Sequence, residues 1–337
     1  MNLILTNNTP GFVLLSRAES NNFLTCVRTF NDPRVSTSGL VALPYNMNSR
    51  LRAFAMLHAY LDESGIHDGA AACVIAGYFG GSGQWRKFEA DWRNMLAAFN
   101  VPMDEFHAKD IFPKAKGFFH PSKCRGDHQV FLRAIGEIVA RHKKIYPVSA
   151  AIIVDDFNSF SLDERRYMTG ATFRSGKLVN SGCPGKPYFV PFQHAVITIC
   201  NYAAVGGQAH FFFGLDQQFA RYAIEIFKQI KASDLQSPDG FGEFAWKQRL
   251  GEAFTPLAKQ TPQLQIADFL TNVTYHHILD AGDQLGKLQP SPLLQKCIQN
   301  QRSRDDFFFS NEDNLRASLV GSIRFNQFLQ EQAALHT

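Results

Sequence analysis

The stretch Leu57-His58-Ala59-Tyr60-Leu61-Asp62-Glu63-Ser64-Gly65 decides how this chain is read. Leu57–Leu61 has the composition of a short strand, and Asp62-Glu63-Ser64-Gly65 is a turn-forming run that should end it. A second apolar run, Ala70–Phe79, closes on Gly80-Gly81-Ser82-Gly83. The two runs predict a hairpin of strands. Immediately afterwards Trp85, Phe88, Trp92, Met95, Leu96 and Phe99 recur at three- and four-residue steps, with Arg86, Lys87, Asp91 and Arg93 between them. That period predicts an amphipathic helix, ended before Pro102.

Downstream the pattern keeps alternating. Met103–His107 reads as a short strand. Asp127 should cap a helix that buries Val130, Phe131, Ala134, Ile135, Ile138 and Val139 and leaves through Arg141, His142, Lys143 and Lys144, which suit a negative helix end. Val148–Val154 is a near-continuous apolar run, hence a buried strand ending at Asp155-Asp156 in solvent. Residues 157–190 are broken by Gly170, Gly176, Gly182, Pro184, Gly185 and Pro187 and read as a long loop or lid. Pro191 should start a helix reaching about Val205, stopped by Gly206-Gly207. Ala209–Leu215 is a Phe-rich strand with Asp216 at its end, and Gln217–Ile230 is amphipathic. Pro262 introduces a helix over Gln263–Leu279, on which His276-His277 should decorate the surface. Glu312–Leu329 reads as the last helix.

Upstream of this body, residues 1–50 are rich in Asn, Ser, Thr and Pro, hold only Glu19 and Asp32 as acids, and have no sustained period. They predict a weakly structured extension. The whole chain has 337 residues and is 45% hydrophobic, enough for one large core or two smaller ones. Its net charge of +4 fits a nucleic-acid binder and most soluble enzymes alike. Cys26, Cys73, Cys124, Cys183, Cys200 and Cys297 form no Cys-x-x-Cys pair, which argues against a zinc ribbon, a thioredoxin-like site or a disulfide scaffold. Buried free thiols in a reducing, cytoplasmic setting are the expectation. No apolar run approaches the roughly 20 residues that span a bilayer, and the start lacks the pattern of a signal peptide, so no membrane association is expected.

The usual nucleophile signatures are missing. There is no Gly-x-Ser-x-Gly and no His-Glu-x-x-His. Gly170 to Gly176-Lys177-Leu178 has one residue too many between its glycines, and Leu where a magnesium-holding hydroxyl is needed, so it is no phosphate-cradling loop. What remains is a set of acids at element ends: Asp62 and Glu63, then Asp110 with His107, then Asp216 and Asp268. Gln265, Asp268 and Asn272 share one helix face, and Asp268 lies among Ile266, Ala267, Phe269 and Leu270. A carboxylate in such company needs a partner, and a hard cation is one. Ordinary roles compete: Asp62 shaping a turn, Asp216 capping the next helix, Asp268 pairing with a base, Asp110 capping a local turn, His107 as a satisfied structural histidine.

Taken in order, Tyr60-Leu61-Asp62-Glu63-Ser64-Gly65, Phe106-His107-Ala108-Lys109-Asp110, Asp216 after its Phe-rich strand, and Leu264-Gln265-Ile266-Ala267-Asp268 resemble the domain of unknown function 3800 family. The resemblance spans roughly residues 57–280 and implies a ribonuclease H-like α/β fold, a mixed sheet flanked by helices. It further implies Asp62, Asp216 and Asp268 as metal ligands for Mg2+ or Mn2+, with Glu63 or His107 completing the shell or positioning water, and Asp110, Gln265 and Asn272 in support. Two divalent cations would then activate water against a phosphodiester.

The expected organisation is a weakly structured extension over residues 1–56, a ribonuclease H-like domain over 57–280 with a long loop insertion at about 157–190, and a helical C-terminal appendage over 281–337. The expected function is metal-dependent cleavage of nucleic acid. The competing expectations are a non-catalytic binding or regulatory module and a hydrolase of small phosphate esters. Lys109, Lys114, Lys116, Arg165, Arg166, Arg174 and Lys177 are the candidate phosphate contacts.

Overall fold

The computed structural model describes residues 54–67, 69–111, 128–169, 185–214, 249–257, 260–282, 289–303 and 306–320. It also describes the short pieces 12–13, 29–30, 173–174, 177–178, 223–224, 227–228 and 323. The main sheet has six strands: β1 Phe54–Ser64, β2 Ala72–Gly80, β3 Ile145–Ile153, β4 Ala203–Phe213, β5 Leu250–Pro256 and β6 Phe307–Ser310. Their order across the sheet is β6-β3-β2-β1-β4-β5. β1–β2 and β2–β3 are antiparallel; β1–β4, β4–β5 and β3–β6 are parallel. The sheet is therefore mixed, and the molecule is mixed α/β as its sequence pattern predicts.

Strand β1 shows how the pleat divides the core. Leu57, Ala59 and Leu61 are fully buried and belong to one hydrophobic cluster, while Tyr60 belongs to the other. The first face is covered by helix α5, Phe189–Tyr202, which is buried on nearly every side. The second is covered by α1 Ser82–Ala98, α2 His128–Arg141 and α6 Pro262–Ala281. Helix α6 lies along β1 and β2, and its Leu264, Ile266, Phe269, Leu270 and Val273 pack into the same cluster as Trp85, Phe88 and Trp92 of α1. β2 is buried along its whole length, as a central strand covered on both faces must be. Pro147 is tolerated in β3 because β6 pairs only with Ser149–Ile152. Pro147 lies beyond that contact, in register with Tyr78 of β2 but with no partner in β6 on its other side.

Several boundaries differ from the sequence expectation. β1 continues through Asp62 and Glu63 to Ser64, and the chain turns only at Gly65 and Gly69, both at positive φ. Met103–His107 is no strand; it leads into a 3-10 turn, Ala108–Asp110. Gly206-Gly207 do not end a helix. α5 stops at Tyr202, and the two glycines lie inside β4. The segment expected as a loop carries α3 Val154–Asn158 and α4 Leu162–Met168. α4 begins in a capping box, the Ser161 side chain accepting from Glu164 N while the Glu164 side chain accepts from Ser161 N. The C-terminal part is integrated into the body. α7 Pro292–Ile298 packs on α2 and α6, β6 adds an edge strand, and a helix follows over 312–320.

In the extension expected over residues 1–56, Phe12–Val13 pair antiparallel with Thr29–Phe30 and Phe54–Met56 begin β1; its other residues, including Leu3–Leu5, lie outside the described residues. Phe54 pairs with Ala203 at the start of β1. Residues 1–50 carry no sustained apolar period, so a chain shortened to begin at Leu51 should keep its melting temperature. One beginning at Met56 should lose some, because it strips that pairing. Thermal unfolding of the two truncations checks this, and a large loss in the longer one would place part of the extension in the core.

Candidate functional site

Asp62 sits within β1, paired with Ala76 of β2, and is 1% exposed. Its Oδ1 accepts a hydrogen bond from the Glu63 backbone N–H at 3.0 Å. The side chain lies on the α6 face with Tyr60, whose ring stacks on Phe212 at 4.8 Å and meets Trp85 edge-on at 4.7 Å. Burial, and after it the charge of Glu89, pushes the Tyr60 hydroxyl up to about 12, so it stays protonated.

The end of β4 makes room for this carboxylate. Gly214 continues the parallel pairing, its N–H donating to Leu61 O at 3.2 Å. A Cβ at Gly214 would stand 3.2 Å from Asp62 Oδ1. Asp62 thus occupies space that a side chain at position 214 would contest. Asp216, two residues further on, lies outside the described residues.

Helix α6 closes the same face. Thr271 Oγ1 lies 2.8 Å from Ala267 O of its own helix, its nearest acceptor, and 3.3 and 3.2 Å from Asp62 O and Ala76 O, so the hydroxyl sits between α6 and both strands with one proton for three carbonyl oxygens. Nearly one turn earlier, Asp268 is half-buried. Its Oδ2 accepts from Ala108 N at 2.9 Å and its Oδ1 from Asn272 Nδ2 at 2.8 Å. Gln265 accepts from Trp92 Nε1 at 2.8 Å and donates to Met103 O. Gln265 and Asp268 therefore grip the segment from Met103 to Ala108, while Asn272 steadies the Asp268 carboxylate. This is the segment that carries His107, half-buried at the entry to the 3-10 turn, and Asp110, whose N–H donates to His107 O at 3.0 Å.

Glu63 lies elsewhere. The register from His58 to Ser64 is unbroken, so Glu63 points to the face opposite Asp62. There it neighbours Cys73 and Tyr188. Burial first, and then the charge of Glu63, pushes both their protons up beyond the ordinary range. A pair of adjacent acids on a turn could converge, but a pair on a strand is divided by the pleat. Two further expectations change. Asp156 does not end in solvent alone, since its Oδ2 accepts from Glu312 N at 3.0 Å. His277 is buried, and burial lowers its pKa despite Asp280 nearby.

The described structure thus brings Asp62, the exit of β4, Asp268 and the His107 segment onto one side of the sheet. Among the described residues, no group of three or more His, Cys, Asp or Glu side chains is placed to hold a metal ion. No described helix is long and apolar enough to cross a membrane. Thr271, Trp92 and Gly214 were not singled out from the sequence. The first two read as ordinary helix interior. Only the position of Gly214 at the end of a Phe-rich strand, just before an acid, could have marked it.

The bond from Ala108 N makes Asp268 a clamp. Asp268→Ala should cost about 1–3 kcal/mol, because it leaves a partly buried N–H unpaired, whereas Asp268→Asn keeps an acceptor and should cost far less. Urea unfolding of the two variants distinguishes them; equal losses would show that the contact contributes little.

No protein-family model matches this chain, and neither a curated protein nor a solved structure matches it.

Proposed function

We propose that this chain is a metal-dependent nuclease of ribonuclease H-like fold, related to the domain of unknown function 3800 family. The observation that carries the reading is the placement of Gly214 against the Asp62 carboxylate. It puts the end of β4 beside an acid buried in the first strand, on the face that α6 crosses with Asp268. The mixed sheet flanked by helices supports the same reading, because it is the architecture that the resemblance implies. β6 is an addition at its edge.

The donor chemistry fits a hard divalent cation. Asp62 and Asp268 offer carboxylate oxygen on one face of the sheet. Asp62, Asp216 and Asp268 would hold Mg2+ or Mn2+, which would supply an activated water and neutralise charge on a phosphodiester. The protein's own part is positioning. Thr271 packs its hydroxyl between the helix and the strands, and Asp268 fixes the segment that presents His107 beside exposed Lys109, the proposed phosphate contact.

A second reading, a non-catalytic binding or regulatory module, is favoured by the two hydrogen bonds already made to Asp268. Incubating purified protein with labelled single- and double-stranded DNA and RNA, with magnesium or manganese, decides between them. The nuclease reading expects cleavage that chelator abolishes, and a melting temperature raised by millimolar metal, since binding to the folded state alone stabilises it. Absence of both results leaves the module.

A further inference from the structure

We propose that the α5 face of the sheet holds a separate site for a small phosphorylated molecule, of about the size of a nucleoside monophosphate. A cavity of about 390 Å³ opens there, where β1 runs into its turn and α3, α4 and the approach to α5 meet. That volume falls in the range of small-molecule sites. Its lining has two parts. Arg165, Arg166 and Lys186 give one wall positive charge. Ile66, Val154, Leu162 and Tyr188 give the rest an apolar and aromatic surface.

Arg165 is the centre of the charged wall. Its Nη1 donates to Asn158 Oδ1 at 3.0 Å, while its Nε is buried without a hydrogen-bond partner. No described carboxylate pairs with it. Gly185 packs on its stem, where an added Cβ would stand 3.1 Å from Arg165 Cβ, and the guanidinium itself lies over the Phe157 ring, 5.9 Å from its centroid. Arg166 is 3.5 Å from Asp163, a partly exposed pair that still leaves donors over. Lys186 is exposed at the rim. Among the described residues, Asp163 is paired with Arg166, Glu164 is engaged with the Ser161 backbone, and the charge of Glu63 bears on Tyr188 and Cys73. A planar guanidinium with a spare donor, flanked by two further cations, is the arrangement that recognises phosphate. The apolar wall asks for more than inorganic phosphate, because a ligand that fills the cavity must also present an apolar or planar part. The Cys73 thiol at the floor is held protonated by burial, so the site binds and does not attack.

The site lies across the sheet from Asp62 and Asp268 and does not depend on the nuclease reading. Isothermal titration of the full chain with adenosine 5′-monophosphate, inorganic phosphate and a single-stranded oligonucleotide tests it. The monophosphate should bind saturably and more tightly than inorganic phosphate. Arg165→Gln should weaken it by about tenfold or more, the scale of one charge-assisted hydrogen bond. Asp62→Asn should leave it unchanged. Lys186→Gln, at the exposed rim, should weaken binding without touching the fold, which keeps the test open if the Arg165 variant does not fold. No saturable binding at millimolar monophosphate, or binding indifferent to both substitutions, would overturn the proposal. So would an effect confined to the oligonucleotide, which would assign these cations to a nucleic-acid backbone instead.

Discussion

Gly65→Ala should unfold this protein under conditions where the parent is stable, at a cost of at least about 3 kcal/mol. Two effects act together at this position. The backbone is held at φ +72°, where an L side chain is strained, and a Cβ would stand 1.9 Å from the Ala72 carbonyl oxygen and 2.7 Å from the Tyr275 ring. The carbonyl belongs to the first residue of β2, so it cannot retreat without breaking the β1–β2 hairpin on which the sheet is built. Tyr275 belongs to α6, so the same intrusion lifts the helix that carries Asp268. Gly69 is the internal control. It has φ +81° but nothing within 4 Å of an added Cβ, so Gly69→Ala should cost only about 1 kcal/mol of backbone strain. Urea unfolding of the pair separates clash from strain. A change below about 0.5 kcal/mol in Gly65→Ala would mean that the turn adapts freely.

This position also shows what could be read in the sequence. The run Asp62-Glu63-Ser64-Gly65 announced a turn correctly, but only its glycine makes one. Asp62 and Glu63 are poor strand formers, yet they extend β1 because tertiary contacts outweigh local propensity there. The hairpin, α1 and α6 were legible because long apolar periods and a leading proline are local signals. Gly206-Gly207 misled because a glycine pair at a helix end looks the same as one at a strand irregularity, and here the pair lies between Ala203 and Gln208, where the register of β4 with β1 shifts. Phe307–Ser310 is not legible as a strand because three phenylalanines and a serine carry no period; only the edge of β3 gives them a partner. At the candidate site, the shared face of Gln265, Asp268 and Asn272 was legible from spacing. That this face clasps the segment Met103–Ala108 was not, since the contacts join residues about 160 positions apart.

Under the proposed function, Asp62→Asn should leave the fold in place and reduce metal-dependent cleavage by at least about a hundredfold. Residues one step removed from a metal already cost up to about that much, so a direct donor should cost no less. The amide keeps an oxygen to accept from Glu63 N and keeps the volume beside Gly214, so near-native melting is expected. Gly214→Ala probes the same oxygen from the other side. Its methyl would stand 3.2 Å from Asp62 Oδ1, close enough to shift the carboxylate by a few tenths of an ångström. Small misplacements of a reacting group are costly, so turnover should fall while the parallel β1–β4 pairing holds. Asp268→Asn adds the discriminating case. As a ligand it should lose activity as Asp62→Asn does; as a clamp alone it should keep most of it, because Ala108 N still finds an acceptor. Rates in magnesium and in manganese, measured beside melting temperatures, give the answer. Full activity in Asp62→Asn would end the nuclease reading, whatever the other two variants do.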